Sequence, residues 1–185
     1  MALTVDIKAI IDRIRAGDRA AFAELLKRYE RPLFGFLGRM GLAQAHAEEI
    51  AQETFLRAWR NLGDYDAQRA AFSTWLFTLA RNLALNELAS AAQRYEVAMG
   101  DATPDVACQR PQPLTLLVER EQKLLLQAAV RKLPLADRSA LALAYVDDLG
   151  LAAIARIDGS TTGAIKTRLH RAKRKLRELL EANHE

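Results

Sequence analysis

The sequence predicts an all-α protein made of two small helical domains joined by a flexible linker. Three observations predict it. Apolar residues recur at three- and four-residue spacing through most of the 185 residues. No stretch alternates in the manner of a strand. The segment Glu96–Thr115, EVAMGDATPDVACQRPQPLT, lacks helical period and holds Gly100 and Pro104, Pro111 and Pro113, three of the five prolines. It divides the chain into a block over 1–95, a linker over 96–115 and a block over 116–185. A composition of 50% apolar and 27% charged residues suits packed domains rather than disorder.

Each element has its own signal. Ile7, Ile10, Ile11 and Ile14 fall on one stripe of a first helix. Gly17 ends it, and the Asp18 carboxylate is placed to cap the next helix. Phe22, Leu25, Leu26, Tyr29, Leu33, Phe36, Leu37 and Met40 share a face of the second helix, which Pro32 should kink and Gly41 ends. A third helix is predicted from about Ala45 to Leu62, with Ile50, Phe55, Ala58, Trp59 and Leu62 apolar. After the loop GDYDAQRA, a fourth begins near Ala71 and aligns Phe72, Trp75, Leu76, Leu79 and Leu83. In the second block Leu117, Leu124, Leu125 and Ala128 form a stripe that Leu133-Pro134 ends, and Leu141, Ala144 and Tyr145 form the next.

The chain closes on LGLAAIAR, IDGS and TTGAIKTRLHRAKRKLRELL: a short helix, a glycine-containing turn and a longer basic helix. That is a helix-turn-helix pattern. Ala153, Ile154 and Ile165 are the small and apolar positions for the crossing, and Thr161 or Ser160 the cap. Lys166, Arg168, Arg171, Lys173, Arg174, Lys175 and Arg177 put +7 on the acid-free window Ala164–Arg177 of the basic helix, against a net +4 for the whole chain, which leaves −3 elsewhere. Such a concentration fits a polyanion, most simply nucleic acid. Thr162, Lys166, Thr167 and His170 would face a major groove, with Arg168, Arg171, Lys173, Arg174 and Lys175 around them at phosphate distance.

Other chemistries lack their residues. His46, His170 and His184 have no metal-spaced partner, and one cysteine, Cys108, forms neither an internal disulfide nor a cysteine-rich metal site. No phosphate-cradling glycine loop, nucleophile elbow or zinc-protease motif occurs, so no enzyme, metal or cofactor is expected. No run of about 18 apolar residues exists to enter a membrane. The charged N-terminus MALTVDIKAIIDRIR does not read as a secretory signal, and a reducing cytoplasm is the expected location.

These residues resemble, in order, the extracytoplasmic-function (ECF) group of bacterial RNA polymerase sigma factors. The first block carries Arg15-Ala16-Gly17-Asp18, Ala21-Phe22, Arg28-Tyr29, AEEIAQETFLRAWRNL from Ala47 to Leu62, Phe72-Ser73-Thr74-Trp75-Leu76-Phe77 and Ala80-Arg81-Asn82. The second carries Leu133-Pro134, Arg138, Tyr145, Ile154-Ala155, Gly163 and IKTRLHRAKRKL. The resemblance implies that the first block binds core RNA polymerase at the β′ clamp helices and melts the −10 element. Glu49, Gln52, Glu53 and Leu56 then form the polymerase-docking face, while Tyr65, Trp75, Asn82 and Asn86, with Arg57 and Arg81 on phosphates, serve a flipped −10 base. Phe72 and Trp75 fit core packing equally well. The second block implies contacts to the β flap and to the −35 element through Thr162, Lys166, Thr167, Arg168, His170, Arg171 and Lys173. An anti-sigma factor that covers both faces is also implied.

The chain departs from the family pattern in three places. Asn86-Glu87-Leu88 with Arg94 alone stands where the family has an aspartate and paired arginines, which thins the basic surface near −10. Gly150, Ala152 and Ala153 replace a capping serine and two glutamates. Asp158 and Ser160 stand where apolar residues belong, so either the turn shifts and Ile157 fills the space, or Asp158 is exposed. An altered −35 preference is expected from this. The alternative function is a stand-alone helix-turn-helix regulator that binds duplex DNA without polymerase; a third is a helical adaptor whose basic helix is incidental.

Overall fold

The computed structural model describes residues 6–98, 124–147 and 149–182, with side chains through 91 in the first span. All regular structure in these residues is helical: α1 (Ile7–Arg15), α2 (Phe22–Arg39), α3 (Gln44–Arg60), α4 (Phe72–Ala98), α5 (124–131), α6 (Leu135–Leu143), α7 (Leu151–Asp158) and α8 (Thr162–Glu181). The predicted linker lies outside the described residues, apart from 96–98, which continue α4.

Local chemistry sets the entry into the first block. Asp6 caps α1 by accepting from the Lys8 N–H at 3.0 Å. Ile10 and Ile11 are buried, with Ile7 and Ile14 at the edge of the same face. Gly17, at φ +104°, turns the chain, and the Asp18 carboxylate accepts from the Ala21 N–H at 3.2 Å. Arg13 fastens this corner through Asp18 at 2.7 Å and Glu24 at 2.8 Å. Its guanidinium holds the Asp18 carboxyl below the usual range. α2 runs through Pro32 as one element and buries Leu25, Leu33, Phe36 and Leu37. α3 and α4 pack on it, with Phe36 edge-on to Phe77 at 5.6 Å between ring centres.

In the second block the stripe predicted for the first helix is rotated. Leu124 and Ala128 are exposed, Ala129 and Leu133 are buried, and Leu117 lies outside the described residues. The buried face is therefore one position round from the sequence-based expectation. α6 then presents Asp137, Arg138 and Ser139, all buried, beside Ala140, Leu141, Ala142 and Leu143.

The two helical domains are packed against each other. Buried residues of α2, α3 and α4 and those of α6, α7 and α8 form one continuous apolar cluster, with α7 against α4 and α6 against α2. Polar groups cross the same boundary. The Arg138 guanidinium donates to the carbonyl of Met40 at 3.2 Å, of Leu133 at 3.1 Å, and of Arg131. Burial and the nearby charge of Arg131 push Arg138 below its ordinary pKa. Arg39 lies over the Tyr145 ring at 5.5 Å, and Arg156 donates to the Arg69 carbonyl.

Candidate functional site

The helix-turn-helix forms at α7 and α8. α7 ends at Asp158, and Gly159 takes the left-handed conformation at φ +67° that lets the chain reverse. Thr161, not Ser160, is the cap: its hydroxyl oxygen accepts from the Ala164 N–H at 3.2 Å, while the Ser160 hydroxyl is buried without a partner. Ile154, Ile157 and Ile165 are buried at the crossing and Ala153 packs beside them. Thr162, Lys166, Thr167, His170, Arg171 and Lys173 are exposed on α8. Thr167 donates its hydroxyl to the Gly163 carbonyl at 3.1 Å. The helix thus offers hydroxyl, imidazole and cationic donors along one exposed surface.

Two buried carboxylates hold arginines of α8, and this is what sequence reasoning missed. Asp137, 2% exposed in its side chain, takes Arg171 in a two-point contact, with Nε to Oδ2 at 2.7 Å and Nη2 to Oδ1. That contact holds the Arg171 guanidinium above its ordinary pKa. Asp158 is not exposed. Its side chain is 1% exposed, Oδ1 accepts from Arg81 of α4 at 2.7 Å, and Oδ2 accepts from Arg168 of α8. Arg81 donates its Nε to the Ser139 hydroxyl at 2.9 Å. Ile157 fills the apolar space as the shifted-turn reading expected. The legible signal was a charged pair, Asp137-Arg138, set inside an apolar helical stripe.

In the first block, Glu49, Gln52 and Leu56 are exposed on α3 and Glu53 is half-buried, paired with Arg57 at 2.6 Å. Leu56 is 42% exposed, a large apolar side chain in water. It edges a cleft of about 730 Å³ lined also by Phe22, Leu26, Phe55 and Trp59. Tyr65 is buried; its hydroxyl donates to the Ala70 carbonyl at 3.0 Å, and its ring meets Phe72 at 5.5 Å and Trp75 at 5.3 Å. Trp75 is half-buried on the outer side of this cluster, and Asn82 and Asn86 are exposed further along α4. Arg81, one of the cations expected near −10, is turned toward Asp158.

The Sigma-70 region 2 family matches residues 25–94, and the Sigma-70 region 4 family matches residues 123–176. The ECF RNA polymerase sigma factor SigW of Bacillus subtilis is 34% identical over 94% of this chain and 96% of its own. The chain belongs to the ECF sigma factor family. In structure, this sigma factor is similar to RpoE of Bartonella quintana, solved with the anti-sigma factor NepR, with 25% identity, a TM-score of 0.68 and coverage of 86% of this chain and 96% of that one. CnrH, solved with the cytosolic domain of CnrY, gives a TM-score of 0.68 at 22% identity, over 94% of this chain and 96% of that one.

The matched ranges divide this sigma factor's surface. Region 2 takes in most of α2, all of α3 and α4 as far as 94, so Glu49, Gln52, Glu53, Leu56, Arg57, Tyr65, Trp75, Arg81, Asn82 and Asn86 all fall inside it. Region 4 takes in α5 to α7 and α8 through Leu176, with every candidate −35 residue. Among the described residues no helix is long and apolar enough to cross a membrane, and no cluster of His, Cys, Asp or Glu could hold a metal ion.

Proposed function

We propose that this sigma factor acts in the cytoplasm by docking on core RNA polymerase through α3 and reading two promoter elements, with a binding rather than a catalytic role. One observation carries the division of labour: exposed Leu56 over an apolar cleft in region 2, and a capped, exposed basic helix in region 4 of the same chain. An exposed leucine flanked by Glu49, Gln52 and Glu53 suits a protein partner with basic and apolar groups, here the β′ clamp helices. Trp75 supplies a stacking face and Asn82 and Asn86 the amide donors and acceptors for an unpaired −10 base, with Arg57 and Arg81 for phosphates. Tyr65 supports that face from behind. Thr162, Lys166, Thr167 and His170 read the −35 element, partly through DNA shape, while Arg168, Arg171 and Lys173 meet phosphates. The β flap is assigned to the second block. In domain terms, 1–95 is the polymerase and −10 unit and 116–185 the −35 unit. The likeness to RpoE, solved with NepR, supports control by an anti-sigma factor.

Reconstituted transcription with core polymerase on a promoter library tests this reading. Transcripts from a defined class of promoters are expected, and Leu56→Asp is expected to weaken polymerase binding roughly 10-fold or more, the loss of one interface anchor. Tight binding to duplex promoter DNA alone, without association with core polymerase, would instead support the stand-alone regulator. With about four phosphates contacted by the second block, the log–log salt slope of DNA binding is about −3 to −4.

A further inference from the structure

We propose that Asp158 is an autoinhibitory latch. Its carboxylate joins region 4 to region 2 and occupies two arginines that the proposed function assigns to DNA. The consequence for promoters rests on that functional reading; the latch itself does not.

The geometry is specific. Oδ1 of Asp158 is used by Arg81, which belongs to region 2, and Oδ2 by Arg168 on α8. A single carboxylate thus stands where phosphate oxygens would stand for both cations. Arg81 also donates to Ser139 of α6, a second contact that reaches into the other block. The side chain of Asp158 is buried, whereas those of Arg81 and Arg168 are 14% and 29% exposed, so the contact is dry on the acid side and accessible on the basic side.

The position is costly without those partners. Asp158 is the last residue of α7, where the helix dipole already concentrates negative charge. A buried carboxylate there is tolerated only when paired. Separation of the blocks would hydrate the acid, leave it Arg168, and free Arg81. Closed and open forms are therefore both chemically satisfied, which is what a switch requires. The closed form also carries the buried Arg138 contact to Met40 and, at the surface, the Arg39–Tyr145 stack and the Arg156 contact to Arg69. These contacts hold the frame, while Asp158 pairs with cations from both DNA-facing blocks.

The test is made on the free 185-residue chain, by spin-label distance between exposed positions 60 and 177 and by small-angle scattering, with circular dichroism to verify helix content. The wild type is expected to give one short distance and a radius of gyration near the ~16 Å of a single globule of this length. Asp158→Asn and Arg81→Gln are each expected to broaden and lengthen the distance, and the double variant to open no further than either. Arg168→Gln, which removes only the arm within region 4, is expected to leave the blocks closed. If the closed form outnumbers the open form about tenfold and core polymerase binds the open form alone, Asp158→Asn tightens apparent core-polymerase affinity on the order of 10-fold. An extended wild type, an unchanged distance in both single variants, or additive effects in the double variant would overturn the latch. Should Asp158→Asn lose its helices, Arg81→Gln measures the same contact from the other side. Opening without tighter polymerase binding overturns the inhibitory role. Failure of every form to bind core polymerase overturns the functional reading instead, and the distances then judge the latch alone.

Discussion

Arg138 and Gly41 meet where the two blocks touch. Gly41 sits at φ +84°, and a Cβ there would stand 3.1 Å from the Arg138 guanidinium and 3.2 Å from Arg131 Cγ. Gly41→Ala is therefore expected to cost about 1–3 kcal/mol, from backbone strain alone, measured by denaturant unfolding. Arg138 answers three carbonyls at the ends of α2 and α5, which have no helical partner of their own. Arg138→Met leaves them buried and unpaired, so a loss of at least ~2 kcal/mol is expected, read as a fall in Tm of roughly 4–8 °C. At the Asp18 corner the effect is on pH. The folded carboxyl titrates below its ordinary 3.8 because Arg13 donates to it, so its stabilising effect is complete above that value and disappears as pH falls through the lower folded one. Asp18→Asn keeps a cap and loses the ion pair. The Tm gap between wild type and this variant is expected to be open at neutral pH and to close in acid. Both Gly17 and Asp18 were legible in the sequence, because a turn and a cap are decided by residues two or three positions apart.

At the scale of elements, α8 owes its start to Thr161. Thr161→Ala removes the acceptor for the Ala164 N–H and is expected to cost about 1 kcal/mol, a Tm fall of roughly 2–4 °C, with weaker DNA binding as the first turn frays. The helical stripes of α1, α2 and α3 could be read from spacing, since one face of each meets a single core. The face of α5 could not. Leu124, Leu125 and Ala128 fit a stripe as well as Ala129 and Leu133 do, and which of them is buried depends on where α6 and α8 lie. Candidate groove-facing residues of α8 could be placed because polar residues on the outer side of a capped helix stay outside. The partners of Asp158 could not, since Arg81 stands 77 positions away in the chain. The sequence marked Asp158 as an anomaly, and its resolution came from a contact between blocks.

At the scale of the whole molecule, the two helical domains pack against each other. With one apolar cluster running from α1 to α8, heating the free chain is expected to give a single calorimetric transition. Asp158→Asn is expected to split it or broaden it, as each block begins to melt alone. The continuous cluster also bears on synthesis. The first block leaves the ribosome while the residues that will cover α4 are still unmade, so for that interval Arg81 has no carboxylate to hold it and the apolar side of α4 faces water. A nascent or truncated chain is in that sense an unguarded one, exposed both to aggregation and to premature capture by polymerase or nucleic acid. Under the proposed latch, the first block is restrained only once α7 has been made and folded against it.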